Sequence, residues 1–186
     1  KLKIKDYFMS ELLGSVRIQK MALNKSYVRM RRNGTERYFK SYRQQMEHDF
    51  RIEKMDETYL KRKGETNKQF EFMNIDLESI SKEWENINEK HKKKKGKSLQ
   101  KQTKQVINFL FSFSSGFDLP EKDREEQFKI VKQFIQEKFD YPIYVVQHND
   151  ETALHYGASI LNFDNETMRP LAKQIDTSKL QDEFFD

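Results

Sequence analysis

The stretch from Tyr144 to Phe163, YVVQHNDETALHYGASILNF, decides how this chain is read. It divides into two apolar runs, IYVVQH and HYGASILNF, around the polar turn NDETAL, and so predicts two antiparallel neighbouring strands. Two of the four histidines in the chain, His148 and His155, lie here with Asp150 and Glu151 between them. If the strands pair, His148 ends one and His155 begins the next, so both imidazoles can converge on one point beside the turn. A hard divalent cation takes oxygen and imidazole ligands, and His148, Glu151 and His155 form the imidazole-carboxylate cluster of the sequence, with Asp150 close by. The plainer reading is a polar loop in which His148 satisfies backbone groups and Glu151 caps a turn. Spacing alone slightly favours it.

Working outward, TKQVINFLFSFSS puts Ile107, Phe109, Phe111 and Phe113 on one side of an extended chain and predicts a central strand. Asp118 and Pro120 then open a helix whose stripe is Phe128, Val131, Phe134, Ile135 and Phe139, stopped by DYP. Leu77, Ile80, Trp84 and Ile87 mark another amphipathic helix from about Asp76 to the Lys92–Lys95 run before Gly96. KRKGETNK between positions 61 and 68 reads as a loop. Phe39, Tyr42, Met46 and Phe50 predict a helix from Glu36, with His48 and Arg51 on a different face. Nearer the start, KDYFMSELL is a short helical candidate, and SVRIQKM or KSYVRM suits a first strand. Mixed strands and helices without regular alternation predict an α+β fold, a mainly antiparallel central sheet with helices packed on one side of it. Fold class by itself assigns no function.

The length of 186 residues suits a single domain, residues 1–186, and a start at Lys1 rather than Met leads us to expect the N-terminal part of a longer protein. The absence of cysteine excludes disulfides and thiolate metal sites and suits a reducing compartment, so a cytoplasmic location is expected. No apolar run reaches the roughly 18 residues of a membrane span. The net charge is +5, with basic residues clumped in RMRRNGTER and HKKKKGK. Such clumping suits a polyanion, nucleic acid above all, and equally suits solvated charged faces.

HNDETALH resembles the HxDExxPHxH motif of Pre/Mob-type plasmid mobilisation relaxases within the HUH single-strand DNA endonucleases, and it follows an apolar strand as it does there. Roughly a hundred residues upstream, MEHDFR resembles the HNxR element of the same relaxases, and ETNKQFEF resembles the Asn-rich segment that follows it. The lysine-rich stretch, the strand VINFLFSFSS and the helix EEQFKIVKQFIQEKF come in the same order. The resemblance spans roughly residues 26 to 165, mostly by order and pattern, and the two histidine motifs are its specific part. It departs from the motif at two positions. Leu154 stands where the proline is, and Gly157 stands where a third histidine ligand is expected.

The resemblance implies an HUH relaxase-like fold and an enzyme, a metal-dependent DNA-nicking transesterase that cuts plasmid origin DNA and forms a covalent 5′-phosphoryl-protein intermediate for mobilisation. It implies His148, His155 and Glu151 as metal ligands for Mn²⁺ or Mg²⁺, His48 as nucleophile, and Arg51 near the scissile phosphate, with Glu151 counted among the catalytic groups. Tyr38, Tyr42 and Tyr59 are alternative nucleophiles, and Gln147, Asn162 and Asp164 are candidate substitutes for the third ligand. Origin-of-transfer DNA, single-stranded or hairpin, is the implied partner, with accessory mobilisation or coupling proteins beside it. Arg29, Arg31, Arg32, Arg37, Lys92, Lys93, Lys94 and Lys95 are candidate phosphate contacts, and Trp84 or Phe70 could stack bases. The competing reading is a non-catalytic relaxase-like DNA-binding module whose metal site has degenerated at Gly157.

Overall fold

The computed structural model describes residues 14–25, 27–30, 36–50, 67–113, 119–149 and 154–185. In chain order its elements are β1 (Gly14–Met21), β2 (Tyr27–Met30), β3 (Glu36–Phe39), α1 (Tyr42–Asp49), β4 (Lys68–Glu71), α2 (Leu77–Lys95), β5 (Val106–Phe113), α3 (Glu121–Lys138), β6 (Pro142–His148), β7 (His155–Leu161) and α4 (Thr177–Phe185). Five strands form one antiparallel sheet in the order β1-β5-β7-β6-β4, while β2 and β3 pair separately as a two-stranded ribbon. The α+β class and the antiparallel β6-β7 pair stand as expected from the sequence. KDYFMSELL, residues 5–13, lies outside the described residues.

Side chains alternate across the strands, and the alternation separates two cores. Ile107, Phe109, Phe111 and Phe113 of β5, Val145 of β6 and Tyr156, Ala158 and Ile160 of β7 face Val131 and Ile135 of α3 and Leu180 and Phe184 of α4. On the other face, Val106, Tyr144, Val146 and Leu161 pack with Tyr42 and Met46 of α1 and Ile80 and Ile87 of α2. Helices therefore cover both faces, whereas the sequence pattern led us to expect them on one. The stripe of each helix shows that it is buried but not on which side of the sheet.

The helix expected from Glu36 starts instead at Tyr42. Residues Glu36–Phe39 pair with β2, and Ser41 then caps the helix: its hydroxyl accepts from the Gln44 backbone N–H while the Gln44 side chain accepts from the Ser41 N–H. The first turn of α1 is tied to the chain leaving β1 by backbone bonds from Tyr42 to the carbonyl of Ala22 (2.9 Å) and from Arg43 to that of Leu23 (3.1 Å). Eight residues at about 1.5 Å each then carry the helix some 12 Å across the sheet, ending at His48 and Asp49. The second helix matches its sequence signals. Asp76 accepts from the Ser79 N–H at its start, and Gly96, in the left-handed region at φ 72°, closes it after the lysine run.

Candidate active site

β6 and β7 pair with His148 directly opposite His155 and Val146 opposite Gly157. The imidazoles of His148 and His155 stack, with centroids 4.6 Å apart and planes 29° from parallel. His48, at the end of α1, brings its ring to 5.4 Å from that of His148. Three histidines from the two separate sequence motifs thus form one row. His148 is sealed at 1% side-chain exposure, whereas His48 keeps 23% and is the more accessible of the two.

Asp49 completes the cluster. Its Oδ1 lies 3.3 Å from His148 Nε2 and 4.0 Å from His48 Nε2, and the donor atoms of His48, Asp49 and His148 all lie within 4.8 Å of one another. Gln45 Nε2 donates to Oδ1 at 2.7 Å, and the Tyr144 hydroxyl donates to Oδ2 at 2.5 Å. Burial, reinforced by the charge of Asp49, raises the Tyr144 phenol well above its usual range, so Tyr144 remains a protonated donor. The same two causes raise Tyr42, which is fully buried with its ring stacked on that of Tyr144. A tyrosine held neutral inside the core is a poor attacking group, so Tyr42 belongs to packing.

The remaining expected residues divide by place. Arg51, Tyr59, Glu151, Asp150, Arg31 and Arg32 lie outside the described residues. Arg29 and Arg37 are register partners in the β2-β3 ribbon, which also carries Tyr38. Lys92–Lys95 form the exposed last turn of α2. The preceding His91 stands edge-on to Phe163, just past the end of β7 opposite to His155, and the six steps of that strand at about 3.3 Å each span roughly 20 Å. His91 itself holds the carbonyl of Lys97 at 2.8 Å and is a structural histidine. Trp84 packs against the α1/α2 core, while Phe70 is 39% exposed on β4 with Lys132 4.4 Å above its ring.

None of the candidate substitutes for the third imidazole stands at the histidine row. Gln147 alternates to the opposite face of β6 from His148; it donates to Asn149, and its buried Oε1 has no hydrogen-bond partner among the described residues. Asn162 bridges the Lys104 carbonyl and the Ala172 N–H, and Asp164 accepts from Thr167. What stands over Gly157 is Asp49: a Cβ built on that glycine would lie 3.7 Å from both Asp49 Oδ2 and His148 Nε2. Asp49 escaped the sequence reading although MEHDFR contains it, at the position where HNxR has asparagine. An imidazole-carboxylate donor set around a cradle that a side chain would otherwise fill fits a hard divalent ion such as Mn²⁺ or Mg²⁺.

Comparison with known proteins bears on the fold and the family. The fold is similar to that of two Mn-bound crystal structures of the MobM relaxase domain (MOBV; Mob_Pre) bound to plasmid pMV158 oriT DNA. One matches with a TM-score of 0.64 and 15% identity over 92% of this chain and 84% of that one. The other has a TM-score of 0.61 and 17% identity over 92% and 85%. At these identities the likeness establishes the fold. No curated protein matches the sequence. Among the described residues no helix is long and apolar enough to cross a membrane. The family model for the MobA/VirD2-like relaxase nuclease domain matches residues 52–183, most of the chain, and the protein belongs to that family.

Proposed function

We propose that the chain is a relaxase catalytic domain that nicks origin-of-transfer DNA and keeps the 5′ end covalently attached. The observation that carries this reading is the meeting of His48 with the stacked His148-His155 pair, which joins two motifs roughly a hundred residues apart in the sequence. His148, His155 and Glu151 hold a divalent ion, Mn²⁺ or Mg²⁺, which when bound polarises a non-bridging oxygen of the scissile phosphate. His48, more exposed than the His148 ring it faces, supplies the attacking nitrogen. Its lone pair forms the P–N bond, the P–O3′ bond breaks with its electrons going to oxygen, and that oxygen takes a proton from solvent to become a free 3′-hydroxyl. The phosphoryl group stays on His48, which conserves the bond for rejoining. Arg51, three residues on from His48, balances phosphate charge.

The arginines Arg29, Arg31, Arg32 and Arg37 hold flanking phosphates. The run Lys92–Lys95 serves only DNA that extends well beyond the cut, given its place at the far end of the sheet. The deciding experiment incubates the protein with single-stranded origin oligonucleotides and supercoiled origin plasmid, with and without Mn²⁺. Metal-dependent nicking with DNA attached to protein is expected, and His48→Ala is expected to abolish the adduct. Adduct formation that survives in His48→Ala excludes this nucleophile. Gel-shifted but intact DNA with the unaltered chain favours the non-catalytic module, the reading that Gly157 raises.

A further inference from the structure

Asp49 is 1% exposed and ionisable, and among the described residues its ion-pairing partners are two histidines, with no lysine or arginine. A buried carboxylate without a permanent cation is costly unless a positive charge is bound beside it. Among the described residues two neutral donors, Gln45 and Tyr144, hold its two oxygens, and a carboxylate offers about four lone pairs in all. Such fixing donors are what orient a metal ligand from behind. The oxygen nearest His148 stands 3.3 Å from its Nε2. Octahedral bonds of about 2.1 Å set neighbouring donors about 3 Å apart, so both atoms suit one ion.

The second observation concerns Gly157. It lies two residues beyond His155 on the same face of β7, at the motif position where a third imidazole is expected. Its missing Cβ would point to within 3.7 Å of Asp49 Oδ2 and His148 Nε2, and would meet Val146 Cγ1 at 3.0 Å. A side chain at this position would therefore start in contact with the Asp49 carboxylate and the His148 ring. Two of the three departures from the motifs, aspartate where HNxR has asparagine and glycine in place of the last histidine, therefore meet at one point in space. Each makes sense of the other.

We infer that Asp49 is a metal ligand that replaces the third imidazole, so that the ion is held by histidine from β6-β7 and a carboxylate from α1. This rests on the relaxase reading but goes beyond it, because it makes the site complete rather than degenerate. It also adds a negative charge where the motif has a neutral ring, which biases the site toward hard cations.

The test is Mn²⁺ titration of the full chain, followed by loss of the free-ion electron paramagnetic resonance signal, for the unaltered protein, Asp49→Asn, Gly157→His, and the two substitutions combined. Asp49→Asn is expected to weaken binding by at least about tenfold. Gly157→His alone is expected to gain nothing, because Asp49 already fills the third ligand position, while the double variant recovers affinity by restoring a third imidazole. Equal Mn²⁺ affinity in the unaltered chain and Asp49→Asn overturns the inference and leaves the relaxase reading intact. An unaltered chain that neither binds Mn²⁺ nor nicks DNA removes both. Should Asp49→Asn fail to fold, crystals of the unaltered chain grown with Mn²⁺ decide the matter. The anomalous peak must lie within coordination distance of an Asp49 oxygen, and a peak away from it refutes the assignment.

Discussion

The two faces of the five-stranded sheet are built from the same strands and each buries an apolar core, but only one carries a cluster of histidines. On the α3/α4 face, aromatic rings meet at packing distance: Phe111 lies 4.6 Å from Phe184, Phe109 lies 5.1 Å from Phe139, and Phe134 lies 5.0 Å from Phe184. On the α1/α2 face the same strands present His148, His155, Gly157 and a buried bond from Ser159 to Asn108 (2.8 Å), with Asp49 lowered onto them by α1. Both sides of the β-layer therefore carry an apolar core, while the chemistry is confined to one of them. Burial of a large apolar side chain contributes about 1.5–3 kcal/mol, whereas each buried polar group needs partners merely to break even. The apolar cores, the α3/α4 one among them, can therefore support the cost of the polar cluster.

The strongest way to break this division is to remove a ring from the α3/α4 face. Phe111→Ala is expected to cost about 3–5 kcal/mol in urea unfolding. Below its own unfolding midpoint the variant should bind Mn²⁺ as the unaltered chain does. A loss of metal affinity in the still-folded variant would show that the faces are coupled rather than divided.

Adding metal tests the division from the other side. At a free Mn²⁺ concentration of about 100 times Kd, binding to the native state alone is expected to stabilise the fold by about 2.7 kcal/mol. That gain should vanish in His148→Ala, as read by thermal unfolding with and without the ion. A gain that persists in His148→Ala would place the ion elsewhere.

The division of labour was only partly visible in the sequence. Strand β5 and the pair β6-β7 were legible because their side chains alternate within short windows, and α2 because Asp76 and Gly96 punctuate it. The start of α1 was misplaced since Phe39 extends the aromatic spacing into a segment whose partner is β2, a pairing that local periodicity does not carry. The edge strand β4 was passed over because KQFE shows no strong apolar pattern and three of its four residues are exposed. The meeting of His48 with His148 was legible through resemblance alone. Asp49 was not, because its meaning depends on the empty position at Gly157, which only the packing of α1 onto β7 brings opposite it.

How α1 is held decides whether the polar cluster stays assembled. Ser41→Ala removes the side-chain acceptor of the capping box and is expected to cost about 1 kcal/mol in urea unfolding. Because α1 ends on His48 and Asp49, the same substitution should also reduce DNA-adduct yield at a temperature where the protein remains folded. An unchanged yield would mean that the backbone bonds to Ala22 and Leu23 position the helix by themselves.

The smallest expected effect lies at the rim of the α3/α4 face, where Lys68 of β4 pairs with Glu125 of α3 and stands 3.8 Å from Glu121. A hydrogen bond from Lys68, with its charge, lowers the Glu125 carboxyl below its usual value. A carboxyl whose folded pKa is depressed contributes stability that is present above its unfolded value, about 4.3, and is lost as pH falls through the folded one. Both side chains are solvent-exposed, so the contribution at neutral pH is small. Lys68→Met should therefore leave the urea midpoint almost unchanged at neutral pH and flatten the decline seen on acidification below about pH 4. If Lys68→Met instead costs as much at neutral pH as Ser41→Ala does, the rim charges hold α3 against the sheet. The α3/α4 face would then not be secured by its aromatic packing alone.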